Sequence, residues 1–318
     1  MLDHKRYSAQ CLEDGTIVVK EEPEGKEKFR LCLFGQEFRR LLHMQLAMLP
    51  TPYITADDRL LIVGFGMGYL YFISLADGTV IKHMKLFPEV TYEDASYKAI
   101  DDQGYYSFET RLDLSGDGRY AVIRVRGEYD PQSGDGEFSP VYVRSFFLMD
   151  MGSLEIVFSD DYGDIPDNGY LNLGVAVFSP DSRFLAVASL GGVLKLFDLE
   201  EKREVYRYEA IEWIPYSGAI QHRNLAVFTE NRTFVLINKE KCLVKVRMGP
   251  DGSWREEQVT EVASFIPSER KFTVFDIGYD AERREIVCHY ALDRGKSKFF
   301  SVSFAIIPKT NHKITVDK

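Results

Sequence analysis

The chain has 318 residues, 45% of them hydrophobic and 28% charged, which excludes the low-hydrophobicity, high-charge composition of disordered proteins and provides for a sizeable core. Its formal net charge of -10, with basic residues scattered in runs such as Arg39-Arg40 and Arg283-Arg284, argues against nucleic acid as a partner. No apolar run approaches the ~18 residues of a membrane helix. The polar start Met1-Leu2-Asp3-His4-Lys5-Arg6 leads into no apolar segment, so neither a signal peptide nor membrane association is expected, and the default location is cytoplasmic.

In chain order, the first signal is the Asp14-Gly15 pair within residues 12–18, a hairpin turn between two strands, followed by a strand-like stretch at 29–34. Residues 37–48 have a helix-compatible composition but also suit a strand. Asp57-Asp58-Arg59 is a turn leading into Leu60-Leu61-Ile62-Val63. The glycine-rich stretch 64–68 then reads as a hairpin turn into Tyr69-Leu70-Tyr71-Phe72-Ile73, because a strand and not a helix follows it. Residues 75–81 repeat 12–18 almost position by position, including the Asp77-Gly78 pair.

The next unit opens with Leu114-Ser115-Gly116-Asp117-Gly118-Arg119-Tyr120-Ala121-Val122 and resumes, after an insertion, at residues 141–150. The clearest unit spans 175–198. Ser179-Pro180-Asp181-Ser182-Arg183 is a tight turn, in which Pro fixes φ and Asp reaches the backbone ahead of it. Alternating apolar residues on either side predict short strands with one buried face each. Leu225-Ala226-Val227 echoes Leu185-Ala186-Val187 at a spacing of 40, with 234–237 as the following strand. A weaker unit at 286–288 and 299–302 closes the series.

The F-S-P-D-x-R, L-A-V-A and G-G-x-L-K-L-F-D run of residues 178–198 resembles a WD40 blade, with Phe197-Asp198 where that family has Trp-Asp. The family's Gly-His pair is missing throughout. Residues 114–119 are also similar to the WD40-like propellers of bacterial peptidases and periplasmic translocation proteins, so the subfamily stays open. The resemblance implies an all-β fold, a single β-propeller domain over residues 1–318, with about six four-stranded blades and seven as the upper count. A β-sandwich would also use short alternating strands, but it does not predict a repeated turn formula.

Three long connections depart from a minimal blade: residues 87–102, 127–140 and 160–170. They carry Tyr92, Asp94 and Tyr97, then Tyr129, Asp130 and Asp135, then Tyr162, Asp164 and Asp167. These nine residues are the candidate binding residues, since tyrosines give contact area at low entropic cost and carboxylates steer a basic partner. The alternative is that the acidic loops are solvated insertions. Asp160, Asp161, Asp164 and Asp167 lack the spacing of a Ca²⁺ loop, and no metal or cofactor is expected. No GxSxG, HExxH or GxxxxGK[ST] motif is present. His43, His83, His222 and His289 are widely separated. Cys11, Cys32, Cys242 and Cys288 show no CxxC spacing and are expected as buried or half-buried free thiols in strands.

The WD40 resemblance implies a non-catalytic scaffold that binds a protein or peptide through this acidic, tyrosine-bearing face. A propeller hydrolase or small-ligand binder, with its site at the channel mouth, is the rival expectation. A third is a rigid component of a larger assembly. Oligomeric state is left open.

Overall fold

The structure, a computed structural model, describes residues 6–33, 51–55, 57–65, 69–86, 109–129, 141–161, 175–188, 193–209, 225–265, 272–292 and 299–305. Among them the chain forms six antiparallel sheets, four with four strands and two with three, and in each sheet consecutive strands pair as a meander. Sheet 1 is β1 (Arg6–Cys11), β2 (Ile17–Glu22) and β3 (Lys26–Leu31). Sheet 2 is β4 (Thr51–Ile54), β5 (Leu60–Phe65), β6 (Tyr69–Ser74) and β7 (Val80–Lys85). Sheet 3 is β8 (Glu109–Leu114), β9 (Tyr120–Tyr129), β10 (Val141–Asp150) and β11 (Glu155–Asp161).

Sheet 4 is β12 (Val175–Phe178), β13 (Phe184–Ala188), β14 (Leu194–Asp198) and β15 (Arg203–Tyr208). Sheet 5 is β16 (Ala226–Glu230), β17 (Thr233–Ile237), β18 (Cys242–Met248) and β19 (Trp254–Glu261), followed by a single 3-10 turn at Val262–Phe265. Sheet 6 is β20 (Phe272–Asp280), β21 (Glu285–Leu292) and β22 (Phe299–Ala305). These antiparallel meanders are the blades of an all-β, multi-blade β-propeller fold. The chain divides into two compact units, Met1–Leu114 with Gly118–Asp161, and Ser115–Asp117 with Tyr162–Lys318.

The repeated turn formula has one shared mechanism. The Ser179 hydroxyl donates to Asp181 Oδ1 at 2.6 Å and accepts from the Phe184 N–H at 2.9 Å, while the Arg183 N–H donates to Asp181 Oδ1 at 3.2 Å. Thr55, Asp57, Arg59 and Leu60 make the same set of bonds at 2.6, 3.0 and 3.2 Å. Ser115 donates to Asp117 at 2.7 Å. The fourth residue of each turn lies in the left-handed region, with φ of 53° at Asp58, 70° at Gly118 and 59° at Ser182. A hydroxyl, a carboxylate two residues on and a residue tolerant of positive φ are therefore what each turn requires.

A second repeat lies in the ladders. Among the described residues, β3, β7, β11, β15 and β19 each carry one extra residue where they pair with the strand before them: Lys28, Ile81, Val157, Val205 and Glu257. Each of these is the last strand of its sheet. A bulge there increases local twist and blunts an edge that would otherwise template another strand.

Each unit has a middle sheet buried on both faces. In the first unit, Leu61, Val63, Ile73 and Leu75 of sheet 2 pack with Ile17 and Val19 of sheet 1, whereas Ile62, Leu70 and Phe72 pack with Leu112, Ala121, Ile123 and Met149 of sheet 3. In the second, Phe234, Leu236, Val244 and Val246 of sheet 5 join Phe184, Ala186, Ala188, Leu194 and Leu196 of sheet 4. Val235, Ile237 and Leu243 join Val274, Ile277, Ile286 and Cys288 of sheet 6. Because side chains alternate along a strand, a strand sandwiched this way reads as a continuous apolar run, as residues 61–63 and 234–237 do. Gly78 adds a close approach in the first unit: at φ 76°, the place its Cβ would occupy is 3.4 Å from the Phe29 ring.

Several expectations are corrected. The strands at 184–188 and 233–237 are buried at every position, not on one face, and 233–237 lies between sheets 4 and 6. Leu225-Ala226-Val227 leads into the first strand of sheet 5, whereas Leu185-Ala186-Val187 lies in the second strand of sheet 4. Ladder register instead pairs Thr233 with Arg247 as Phe184 pairs with Asp198. Short apolar triplets occur in both inner strands, so they cannot set the repeat frame. Gly64 and Phe65 belong to β5 and not to the turn. Cys32 is exposed, just beyond β3, while Cys11 is half-buried and Cys242 and Cys288 are buried. The helix-compatible stretch 37–48 lies outside the described residues.

Candidate binding surfaces

Of the nine candidate residues, Tyr129 is the last residue of β9, where its backbone pairs with Val141 at the start of β10. Tyr92, Asp94, Tyr97, Asp130, Asp135, Tyr162, Asp164 and Asp167 lie outside the described residues. What the described strands give is the points of attachment. In sheet 3 the antiparallel register puts the starts of β8 and β10 beside the ends of β9 and β11. The connection through 130–140 therefore leaves and re-enters at the same end of the sheet at which the segment before β8 arrives and the segment after β11 departs. The opposite end of the sheet carries the short turns 115–119 and 151–154.

The tight-turn end of sheets 4 and 5 carries a groove of about 1130 Å³, entirely within the second unit. Pro180 and Asp181 line one side. Thr229 to Thr233, Arg247 to Pro250 and Arg255 to Glu257 line the rest. The ladder explains its chemistry. An arginine precedes the second strand in all four four-stranded sheets among the described residues: Arg59, Arg119, Arg183 and Arg232. Its carbonyl accepts from the N–H of Leu75, Met151, Leu199 and Met248 in turn, at 2.8 to 3.0 Å. The third-strand residue paired with the first residue of the second strand is Ser74, Asp150, Asp198 and Arg247 in turn.

In sheet 4 these two positions form an ion pair, Arg183 to Asp198 at 2.8 Å, and hydrogen bonding to this carboxylate is the leading cause that raises the Arg183 pKa. Asp150, at the same position in sheet 3, is held below the usual carboxylate range, first by the Ser153 N–H and also by the nearby charge of Arg119. In sheet 5 the acid is replaced by Arg247, while the shorter turn keeps a carboxylate, Glu230, two residues before its arginine. Arg232 is exposed and, among the described residues, has no ion-pair partner. Arg247 has Glu257 at 3.7 Å, but Lys245 reaches the same carboxylate at 3.2 Å. Glu230 has Arg284 at 3.9 Å, and Arg255 is tied to Asp251. The sequence held the signal for this site, Thr229-Glu230-Asn231-Arg232 in place of Ser179-Pro180-Asp181-Ser182-Arg183, but the spacing of 40 framed the comparison wrongly.

Elsewhere, His83 stacks on Tyr71 with ring centroids 5.8 Å apart, and His289 lies 3.9 Å from Asp276. Among the described residues no group of three or more His, Cys, Asp or Glu side chains is placed to hold a metal ion. Among the same residues no helix is long and apolar enough to cross a membrane.

No family model matches the chain, and no curated protein matches it in sequence. Among solved structures it is similar to BamB from Moraxella catarrhalis, at 14% identity and a TM-score of 0.46, over 95% of this chain and 75% of that one. It is also similar to the β-propeller domain of Cps50 (Swd1) from Myceliophteria thermophila, at 10% identity and a TM-score of 0.44, over 94% of this chain and 79% of that one. The meanders, turns and ladders described above carry the fold assignment without these likenesses.

Proposed function

We propose that the protein is a non-catalytic scaffold, one propeller domain over residues 1–318, that binds a protein or peptide partner through the segments 87–102, 127–140 and 160–170. The supporting observation is the strand polarity of sheet 3: the connection after Tyr129 and the segments flanking the sheet all attach at one end, away from the short turns. Tyrosines there supply contact area with few rotatable bonds, and the aspartates favour a partner with basic residues. Rigid two-faced sheets behind such segments reduce the ordering cost of association. The test is affinity purification with the wild-type chain and a Tyr129→Ala, Asp130→Ala, Tyr162→Ala variant. Loss of co-purifying partners from a variant with unchanged circular dichroism supports the reading; an unchanged partner set contradicts it.

A further inference from the structure

We propose that the groove at the tight-turn end of sheets 4 and 5 is a second binding site, one that takes a carboxylate-bearing polypeptide segment and holds its carboxylate with Arg232 and Arg247. The blade repeat carries the inference. At the two aligned positions, sheet 4 places an arginine and an aspartate that satisfy each other, Arg183 and Asp198. Sheet 5 places two arginines, Arg232 and Arg247, and both line the groove.

Two guanidinium groups at neighbouring register positions repel each other unless an anion lies between them, and a carboxylate matches the planar fork of a guanidinium with two parallel hydrogen bonds. Four carboxylates line the groove, Asp181, Glu230, Glu256 and Glu257, and three of them are already engaged. Glu257 has Lys245 at 3.2 Å, Glu230 has Arg284 at 3.9 Å, and Asp181 accepts the Ser179 hydroxyl at 2.6 Å. Arg232 has no such partner among the described residues, so its guanidinium keeps all its donors for a ligand.

A polypeptide, and not a small free oxyanion, suits the remainder of the groove. Its volume of about 1130 Å³ is far larger than one oxyanion needs. Beside the arginines it offers the apolar surfaces of Pro180, Met248 and Pro250 and the amide of Asn231, a mixture suited to a peptide backbone and its side chains. This site is built from sheets 4 and 5 alone, at the end of those sheets that carries their tight turns, and it stands or falls independently of the proposed partner-binding face.

The test uses the full-length chain and fluorescently labelled hexaglutamate, with hexaglutamine and inorganic phosphate as comparison probes, followed by anisotropy at low ionic strength. The expected result is saturable hexaglutamate binding that is weakened at least about tenfold by Arg232→Ala, abolished by Arg232→Glu and largely kept by Arg232→Lys. The Tyr129, Asp130, Tyr162 triple variant is expected to bind hexaglutamate as the wild type does. Circular dichroism of each variant separates loss of binding from loss of fold, and Arg232, being exposed, is a position where substitution leaves the core intact. Equal binding by wild type and Arg232→Glu, or no saturable hexaglutamate binding, overturns the proposal. Phosphate binding as tight as hexaglutamate binding overturns the polypeptide assignment.

Discussion

Arg183 donates from Nε and Nη2 to the same oxygen of Asp198, at 3.1 and 2.8 Å, and so ties the turn that opens β13 to the residue that closes β14. The other Asp198 oxygen accepts the N–H groups of Glu200 and Glu201 at 3.0 and 3.1 Å, capping the turn into β15. One carboxylate, only 3% exposed, therefore organises both turns at this end of the blade. Asp198→Ala removes both functions and is expected to cost about 2–4 kcal/mol, whereas Asp198→Asn keeps part of the cap and costs less. Urea denaturation of the two variants checks the ranking; equal stability of the Ala and Asn variants would remove the cap from the account.

Phe234 is fully buried, with the rings of Phe228 and Trp254 each at 5.6 Å and that of Tyr206 at 6.0 Å. Its neighbour Val235 faces sheet 6 from the same strand. Phe234→Ala is expected to lower stability by about 3–5 kcal/mol. Val235→Asp is expected to be at least as damaging, since this strand has no solvent face. A well-folded Val235→Asp variant, judged by its near-ultraviolet spectrum, would contradict the two-sided packing.

Lys202 is exposed and sits at φ 52°, a conformation that costs an L-residue about 1 kcal/mol and glycine nothing. Lys202→Gly is accordingly expected to leave thermal stability unchanged or to raise it by up to about 1 kcal/mol, the reverse of glycine's usual effect in a strand. A clear drop in melting temperature would show that the Lys202 side chain contributes more than its backbone costs.

Acid sensitivity should come from carboxylates that accept hydrogen bonds in the folded chain. Backbone N–H bonds from Ser153 and Gly152 hold Asp150 below its ordinary range, and a hydrogen bond from Arg207 does so for Glu204. A depressed folded-state pKa stabilises the protein above the unfolded value near ~4 and loses that contribution as pH falls through the depressed value. Asp150→Asn should thus lower stability at neutral pH and flatten the acid limb of the stability curve. An acid limb identical to that of the wild type would exclude Asp150 as a contributor.

The thiols should react in sequence. Burial pushes the Cys288 thiol far up, with Asp276 adding to it, and burial also raises Cys242 and Cys11. Cys32 is exposed. Native protein treated with Ellman's reagent near neutral pH is expected to show one fast thiol, lost in Cys32→Ser, with the other three released by denaturant. Fast labelling of Cys288 would contradict the burial of β21 against sheet 5.

The repeated turns were legible because their chemistry is local: Thr55, Ser115 and Ser179 each precede an aspartate by two residues and an arginine by four. The hairpin at Asp77-Gly78 was equally plain, since its Gly must take positive φ. The outer-strand bulges were not legible, because Lys28, Ile81, Val157, Val205 and Glu257 range from charged to β-branched apolar and a bulge depends on pairing alone. The groove was hidden for a related reason. Arg232 and Arg247 are 15 residues apart, as are Arg183 and Asp198, but only the ladder shows that the two pairs occupy the same two places.

The most direct measurement of the central claim is site-specific photo-crosslinking in the native cell, with a benzophenone amino acid at Tyr129 in one strain and at Ser153, in the short turn at the other end of sheet 3, in a second. The account predicts a discrete polypeptide crosslinked at 129 and none at 153. Crosslinking at 153 alone, or at neither position, would contradict it.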